Sequence, residues 1–378
     1  MADRIPAPAA ERAAALDVPA APSEVTAAVQ VIDIAPALEP GRGPATGSGP
    51  GSAAIRSTGS LAVASALVDS FRQTGFAVVT GHRVPAALCH TMSEVSTEFF
   101  ALPLAEKLAV AFPAPEIIRG YEPVPAATGA DRITSAVESL LINRLSPPDD
   151  FPIGGIEHRL WRWPNVWPER PARLRQVWER YYREMEQLGD QLLELVAIGL
   201  GLPAGWFAGY FDRHFSNLAV NHYPPQPGSV DDPGRARPRN RPHTDHGALT
   251  LLYRPAEPGG LEVYAGGQWW RVPFLPGSLV LNVGDILERW TDGALRATPH
   301  RVVAPVGAAA RAGRQSIVYF QQPNPDAVIA PAPALAGPGG GSRYRPVLAG
   351  AHVSRKELGH ATLAALAPHL ADSHLRTP

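Results

Sequence analysis

The stretch RPHTDHGALTLLY, residues 241–253, places two histidines and an aspartate just before an apolar run. The run itself, ALTLLY, is typical of a buried β-strand. Side chains alternate between the two faces of a strand, so His243 and Asp245 are expected on one face and His246 on the other. An imidazole and a carboxylate that share a face predict two ligands of one metal ion.

A third ligand must come from another segment. His300, in TPHRVV, is the best candidate because it begins another predicted strand. Two histidines and one carboxylate on one side of an octahedral ion leave other positions open, as in non-haem iron(II) sites. We therefore predict His243, Asp245 and His300 as metal ligands and catalytic residues. His246, on the opposite face, can only support the site from behind, and most of the 12 histidines are expected to be surface or core residues.

A second polar pair lies in RQSIVYF, residues 314–320. Arg314 and Ser316 share one face of a strand that is otherwise apolar. Burying a guanidinium and a hydroxyl there costs free energy unless a ligand pairs with them, and the fork of an arginine suits a carboxylate. An arginine at the start of a strand could also face solvent. Its combination with the histidine–aspartate pair and His300 favours a ligand that carries carboxylates.

The pattern of short apolar runs defines the expected fold. From residue 215 onward these runs are separated by Gly, Pro and Asp turns, which predicts an antiparallel sandwich or barrel. Upstream we predict strands at 29–38 and 76–82 and helices at 61–75, 85–103 and 171–200. Between the second and third helices the chain is expected to be polar and irregular. A final helix is predicted at 354–370, with Ser354 as its N-cap.

Composition limits the classes of function. Apolar residues make up 45% of the 378 residues and charged residues 18%, enough for a sizeable core. A net charge of −1 argues against nucleic acid or an anionic membrane as a partner. Cys89 is the one cysteine, which excludes an intramolecular disulfide or a cysteine-rich metal cluster and suits a reducing compartment. No signal peptide or membrane-spanning run is visible, so a cytoplasmic location is predicted.

The metal-ligand candidates and the Arg314–Ser316 pair resemble the corresponding residues of the iron(II)/2-oxoglutarate-dependent dioxygenases of the isopenicillin N synthase-like family. The resemblance extends over about residues 30 to 325. Besides the metal and co-substrate strands, NHYPPQP (221–227) is similar to the family's Asn-x-Tyr-Pro-Pro-x-Pro signature. VIDIAPAL, GFAVVTGHRV and FFALPLAEK match its N-terminal region. Two departures are a Gly-rich insertion at 39–60 and a middle region that matches no subfamily.

The resemblance implies an α+β fold whose core is a distorted double-stranded β-helix (a cupin-like jelly roll), with flanking helices and an N-terminal α/β region. The ions and co-substrates implied are Fe(2+), 2-oxoglutarate and O2, with ascorbate as an optional reductant. Arg314 and Ser316 would bind the distal carboxylate of 2-oxoglutarate, while Tyr223 and Asn221 would face its other end. The implied regions are a disordered tail (1–28), an N-terminal dioxygenase region (29–150), a helical connection (151–214), the dioxygenase core (215–325), and a C-terminal loop and helix (326–378).

The implied activity is oxidation of a small molecule, by hydroxylation, desaturation or cyclisation, with release of succinate and CO2. Secondary metabolism, such as antibiotic biosynthesis, is the expected setting, and the chain is expected to be a monomer or a weak homo-oligomer. Related halogenases replace the carboxylate ligand by a small residue, so the presence of Asp245 favours oxygenation. Alternatives are an iron oxidase that uses no 2-oxoglutarate, a cupin-like metal-binding protein, a zinc hydrolase or a catalytically silent scaffold.

Overall fold

A computed structural model describes residues 29–38, 58–125, 135–227, 237–256, 260–305, 307–335 and 342–371. The predicted tail at 1–28, most of the Gly-rich insertion at 39–60, and the glycines of the C-terminal loop lie outside the described residues. None of the described helices has the combination of length and apolar character that crossing a membrane requires.

The strands form two facing sheets and a small ribbon. The strands are β1 (Gln30–Asp33), β2 (Phe76–Thr80), β3 (Gly120–Glu122), β4 (Glu138–Asn143), β5 (Asn217–Tyr223), β6 (Asn240–His243), β7 (Leu249–Tyr253), β8 (Leu261–Ala265), β9 (Gln268–Arg271), β10 (Leu279–Val283), β11 (His300–Val302), β12 (Arg314–Gln321), β13 (Val328–Ile329) and β14 (Val347–Leu348). Among the described residues, the large sheet has the order β1-β2-β10-β7-β12-β5-β4-β3 and the small sheet the order β6-β11-β8-β9. Apart from the parallel pair β1–β2, the strand pairs within these two sheets are antiparallel. This arrangement agrees with the expected double-stranded β-helix.

Helices cover the outer face of the large sheet. The described α-helices are α1 (Thr58–Gln73), α2 (Ala86–Phe100), α3 (Leu104–Leu108), α4 (Leu174–Gly199), α5 (Asp285–Trp290), α6 (Ala349–Leu358), α7 (His360–Leu366) and α8 (Pro368–Ala371). The long helix α4 packs on α1 and α2 and reaches β7 and β12. Its apolar stripe at helical spacing is buried, including Leu174, Met185 and Leu192. The outer face of the sheet and these helices form the larger of two apolar cores.

A second, smaller core fills the space between the two sheets. The large sheet contributes Val78, Val280 and Val318, and the small sheet contributes Val263 and Val302. Because side chains alternate along a strand, β2, β7, β10 and β12 each supply residues to both cores. The polar residues of the site lie on the same inward face as this second core, so they are held inside a barrel with apolar walls.

Two predictions about local structure were wrong. The middle region contains β3 and β4, and β4 is an interior strand of the large sheet. The C-terminal helix α6 begins at Ala349, so Ser354 lies inside it and cannot cap it. Ser354 is buried instead, and its hydroxyl oxygen accepts a hydrogen bond from Trp161 Nε1 at 3.1 Å. The predicted helix at 85–103 is also shorter, since α2 ends at Phe100.

A buried polar cluster centres on Glu138, the first residue of β4. Its carboxylate accepts hydrogen bonds from Lys107 Nζ at 2.7 Å and from the Tyr121 hydroxyl at 2.5 Å, and it pairs with His222 Nδ1 at 2.8 Å. Burial by itself would raise the pKa of Glu138, but these three partners lower it to about 2, from an ordinary value of 4.5. The pKa of Glu138 is thus depressed in the folded state.

This shift predicts an acid-sensitive contribution to stability. The ionised Glu138 stabilises the fold above pH 4.5, and the contribution is lost as pH falls through the folded pKa of about 2. We expect Glu138→Gln to lower the free energy of unfolding at pH 7 by about 3 kcal/mol, because Lys107 loses its buried counter-charge. The acid-side slope of stability should also flatten. Urea denaturation at pH 7 and pH 3.5 measures both effects, and the exposed Glu94→Gln serves as the control. An unchanged slope in Glu138→Gln would contradict the assignment.

Candidate active site

Three side chains from two segments of the small sheet converge in the barrel. His243 ends β6 and His300 begins β11, and the two residues face each other in the antiparallel register. Asp245 lies two residues beyond the end of β6. The reason given for placing it on the same face as His243, alternation of side chains within one strand, was therefore wrong. The grouping itself is present: His243 Nε2 and His300 Nε2 each lie 3.6 Å from Asp245 Oδ1. The candidate ligand atoms of the three residues all lie within 4.8 Å of one another, which makes this group a candidate site for one metal ion.

Backbone carbonyls fix the orientation of both imidazoles. His243 Nδ1 lies 2.7 Å from the Arg241 carbonyl oxygen, and His300 Nδ1 lies 3.2 Å from that of Thr298. A carbonyl can only accept, so each Nδ1 carries the proton and each Nε2 keeps its lone pair for a metal. Burial, and then the neighbouring imidazole of His243, lower the pKa of His300 to about 4, which leaves it neutral at pH 7. Both rings are therefore arranged as metal ligands.

The Asp245 carboxylate is held by one of its two oxygens. Oδ2 accepts hydrogen bonds from Thr250 Oγ1 at 2.6 Å and from Asn282 Nδ2 at 2.7 Å. Burial opposes ionisation of Asp245, but the two imidazoles and these two donors lower its pKa. Oδ1 remains directed at the two Nε2 atoms. Thr250 and Asn282 were not predicted from sequence, although both stand opposite each other in the β7–β10 register and share the inward face.

Close backbone packing holds the loop that carries Asp245. The backbone N–H groups of Asp285 and Ile286, at the start of α5, donate to the carbonyls of Asp245 and Gly247 at 2.8 and 2.9 Å. On the other side, a Cβ at Gly75 would lie 2.3 Å from the Arg296 carbonyl oxygen, so only glycine lets this backbone approach. Arg296 belongs to the segment that leads into His300. The ligands are thus positioned by packing that extends beyond the strands.

His246 takes no part in the triad, as its predicted face implies. It lies on the α6 side of the loop, where Asp285, Lys356 and His352 influence its pKa. Burial, the largest effect, lowers the pKa of His246 to about 4. Lys356 Nζ is 2.9 Å from Asp285 Oδ2, which anchors α6 behind the metal loop.

The four residues expected to contact the co-substrate form two cross-strand pairs. In the β12–β5 register Arg314 stands opposite Tyr223, and Ser316 stands opposite Asn221. Arg314 Cζ is 4.9 Å from the centre of the Tyr223 ring. Tyr223 therefore lies beside Arg314. Asn221 Oδ1 accepts a hydrogen bond from Ser139 Oγ at 2.8 Å, which continues the row onto β4.

The Arg314 guanidinium has unused hydrogen-bonding capacity. Arg314 is 6% exposed, so it does not face solvent, and its Nη1 has no hydrogen-bond partner among the described residues. A buried guanidinium with an unpaired donor is unfavourable, which is the property expected of a carboxylate-binding site before its ligand is bound. The alternating residue Gln315 points outward and accepts a hydrogen bond from Ser93 of α2 at 2.8 Å. The chemistry of this row fits one end of a dicarboxylate.

The aromatic residues Tyr121 and Phe320 belong to the cores and do not line the site. Tyr121 is buried against Glu138, and Phe320 packs on the second core. Phe76 has a direct role that sequence did not indicate, since its ring packs edge-on against His300 with centroids 5.3 Å apart. Phe76 therefore covers one imidazole of the triad.

Family models match two parts of the chain. The model for the 2OG-Fe(II) oxygenase superfamily matches residues 214–323, which include the triad and the Arg314 row. The model described as the N-terminal part of the non-haem dioxygenase in morphine synthesis matches residues 51–170.

Curated relatives and solved structures agree with these matches. The chain is 32% identical to validamycin A dioxygenase of Streptomyces hygroscopicus subsp. limoneus, over 73% of this chain and 76% of that enzyme. It is 30% identical to proline hydroxylase buaE of Petromyces alliaceus, over 74% of this chain and 87% of that protein. A full-length Neurospora crassa protein, solved in complex with alpha-KG and thymine, superimposes with a TM-score of 0.72 and 25% identity, covering 89% of this chain and 98% of that one.

The geometry predicts how metal affinity responds to substitution. We expect Asp245→Ala to weaken Mn(II) or Co(II) binding at least 100-fold, because it removes a ligand, and Asn282→Ala to weaken it about tenfold, because Asp245 loses one of its two supports. His246→Ala is the matched control and should stay within about twofold of wild type. Equilibrium dialysis, with the visible spectrum of Co(II), measures each affinity. Equal losses in the Asp245 and His246 variants would contradict the assignment.

Proposed function

Because this chain belongs to the 2OG-Fe(II) oxygenase superfamily, we propose that its buried triad holds the iron(II) and that the neighbouring polar row holds 2-oxoglutarate. The triad is His243, Asp245 and His300, and the row is Arg314, Ser316, Tyr223 and Asn221. The observation that carries the proposal is that three ligand atoms converge in the same barrel as a buried arginine with an unpaired donor.

The bound groups and the protein have separate tasks. When bound, iron(II), 2-oxoglutarate and O2 would supply the chemistry that places one oxygen atom of O2 in a C–H bond of the substrate, while the other atom leaves in succinate and CO2 is released. His243, Asp245 and His300 would hold the ion. Arg314 and Ser316 fix the distal carboxylate, which holds the co-substrate in one orientation. Phe76 and the second core exclude water from the inner side of the site.

The substrate we propose is a small molecule of secondary metabolism, and the reaction we propose is hydroxylation. The two curated relatives described above are named for acting on validamycin A and proline, which are both small molecules. Retention of Asp245 in the triad supports oxygenation over halogenation. An iron oxidase that uses no 2-oxoglutarate would leave the unpaired donor of Arg314 unexplained.

Co-substrate use gives the direct test. Turnover of a panel beginning with validamycin A, free proline and thymine should form succinate in proportion to product. Arg314→Gln should raise the KM for 2-oxoglutarate more than tenfold and recover much of kcat at saturation, because a charge-assisted hydrogen bond to the distal carboxylate is lost. Arg311→Gln, an exposed arginine three residues away, is the control. Product formation without succinate would instead establish the 2-oxoglutarate-independent oxidase.

A further inference from the structure

A second arginine is buried at the same end of the barrel. Arg239, just before β6, is 2% exposed. Its Nη2 donates to the carbonyl oxygen of Ala312 at 2.8 Å, and its Nε has no hydrogen-bond partner among the described residues. Ala312 lies two residues before Arg314, so this bond fixes the Arg239 guanidinium at the start of β12.

The charged surroundings of Arg239 are unusual. Burial, and then the like charge of Arg314, lower the pKa of Arg239 to about 10, so that it remains protonated at neutral pH. Tyr223 is the other group that perturbs this pKa, in the opposite direction. No carboxylate in the described part of the chain forms an ion pair with Arg239 or Arg314. Two guanidinium groups thus lie buried near each other without a counter-charge from the described residues.

Such an arrangement is unfavourable without an anion. Each guanidinium loses hydration on burial, and each repels the other in surroundings of low dielectric constant. Each also keeps a buried donor nitrogen for which the described part of the chain offers no acceptor: Nε in Arg239 and Nη1 in Arg314. Arginine donors pair best with a carboxylate, which has two oxygens and can accept from more than one arginine.

We propose that Arg239 is a second binding residue for the distal carboxylate of 2-oxoglutarate, acting together with Arg314. This inference rests on the function proposed above and adds a residue to it. The anchoring of Arg239 on Ala312 places it at the arginine end of the row, beside Tyr223. This location, next to Arg314 and Tyr223 at the start of β12, favours contact with the co-substrate over contact with the oxidised substrate.

The test compares two 2-oxo acids by calorimetric titration of the Mn(II)-loaded protein without O2. 2-Oxoglutarate carries the distal carboxylate, and 2-oxovalerate has the same chelating end without it. We expect Arg239→Gln to weaken 2-oxoglutarate binding between about tenfold and 100-fold, the range for a lost charge-assisted hydrogen bond. Binding of 2-oxovalerate should stay within about twofold. Arg239→Lys should recover part of the loss by keeping the charge.

Arg254 provides a matched control. It is also a buried arginine, and its guanidinium donates to the carbonyls of Val272 and Pro273. Arg254→Gln should leave the affinities of both 2-oxo acids unchanged once thermal unfolding confirms that it is folded. If Arg239→Gln fails to fold, the comparison of the two acids in Arg239→Lys replaces it, with a loss for 2-oxoglutarate alone as the supporting result.

Three outcomes would overturn the inference. The first is an unchanged affinity of Arg239→Gln for 2-oxoglutarate, including the case in which only the KM of the oxidised substrate changes. The second is an equal loss for both acids, which would show a purely structural role. The third is a loss of 2-oxoglutarate affinity in the double variant that equals the sum, in free energy, of the losses in Arg239→Gln and Arg314→Gln. Two residues that bind one carboxylate are expected to be coupled. Wild-type protein that binds no 2-oxoglutarate would reject the proposed function itself.

Discussion

The barrel holds charges of both signs that do not pair with one another, and this constraint organises the site. Asp245 directs one oxygen at two imidazoles, while Arg314 and Arg239 carry positive charge and each keep a donor with no partner among the residues that the structure describes. The walls around them are valines and leucines of the second core. Because unpaired buried charge is costly, a cation at the triad and an anion at the arginines would each lower the free energy of the folded protein. The proposed ligands would therefore also stabilise the fold.

Sheet register, more than any loop, brings the parts of the site together. His243 faces His300 across β6 and β11, and Arg314 faces Tyr223 across β12 and β5. Thr250 faces Asn282 across β7 and β10, and both bind Asp245. Directly opposite residues of antiparallel strands share a face, so each pair is fixed by backbone hydrogen bonds. A shift of register by one residue would turn every member of a row away from the barrel.

Sequence pattern predicted the strands of the core and the helices before them, because their apolar residues follow the spacing of one buried face. It did not predict β4, where Glu138 and Ser139 stand at the start of the strand. These residues suggested a loop, but in the fold their cost of burial is offset by His222 and Asn221 on β5. The hydrogen-bond partners that offset this cost are distant in sequence, so they can be identified only in the folded structure. The same limit applies to Thr250 and Asn282, which resemble ordinary strand residues until Asp245 is placed between them.

The segment RARPRNRPH shows this limit most clearly. Arg237, Arg239 and Arg241 alternate in sequence, so simple strand geometry would place all three on one face. In the structure Arg241 is exposed, Arg237 is partly buried and binds backbone carbonyls at Pro125 and Ser135, and Arg239 lies inside the barrel. Arg237 and Arg239 precede β6, and the register of β6 and β11 shifts between His300 and Val302, so regular strand alternation does not extend over the three arginines. Composition alone contains no signal for which of three residues of identical type is buried.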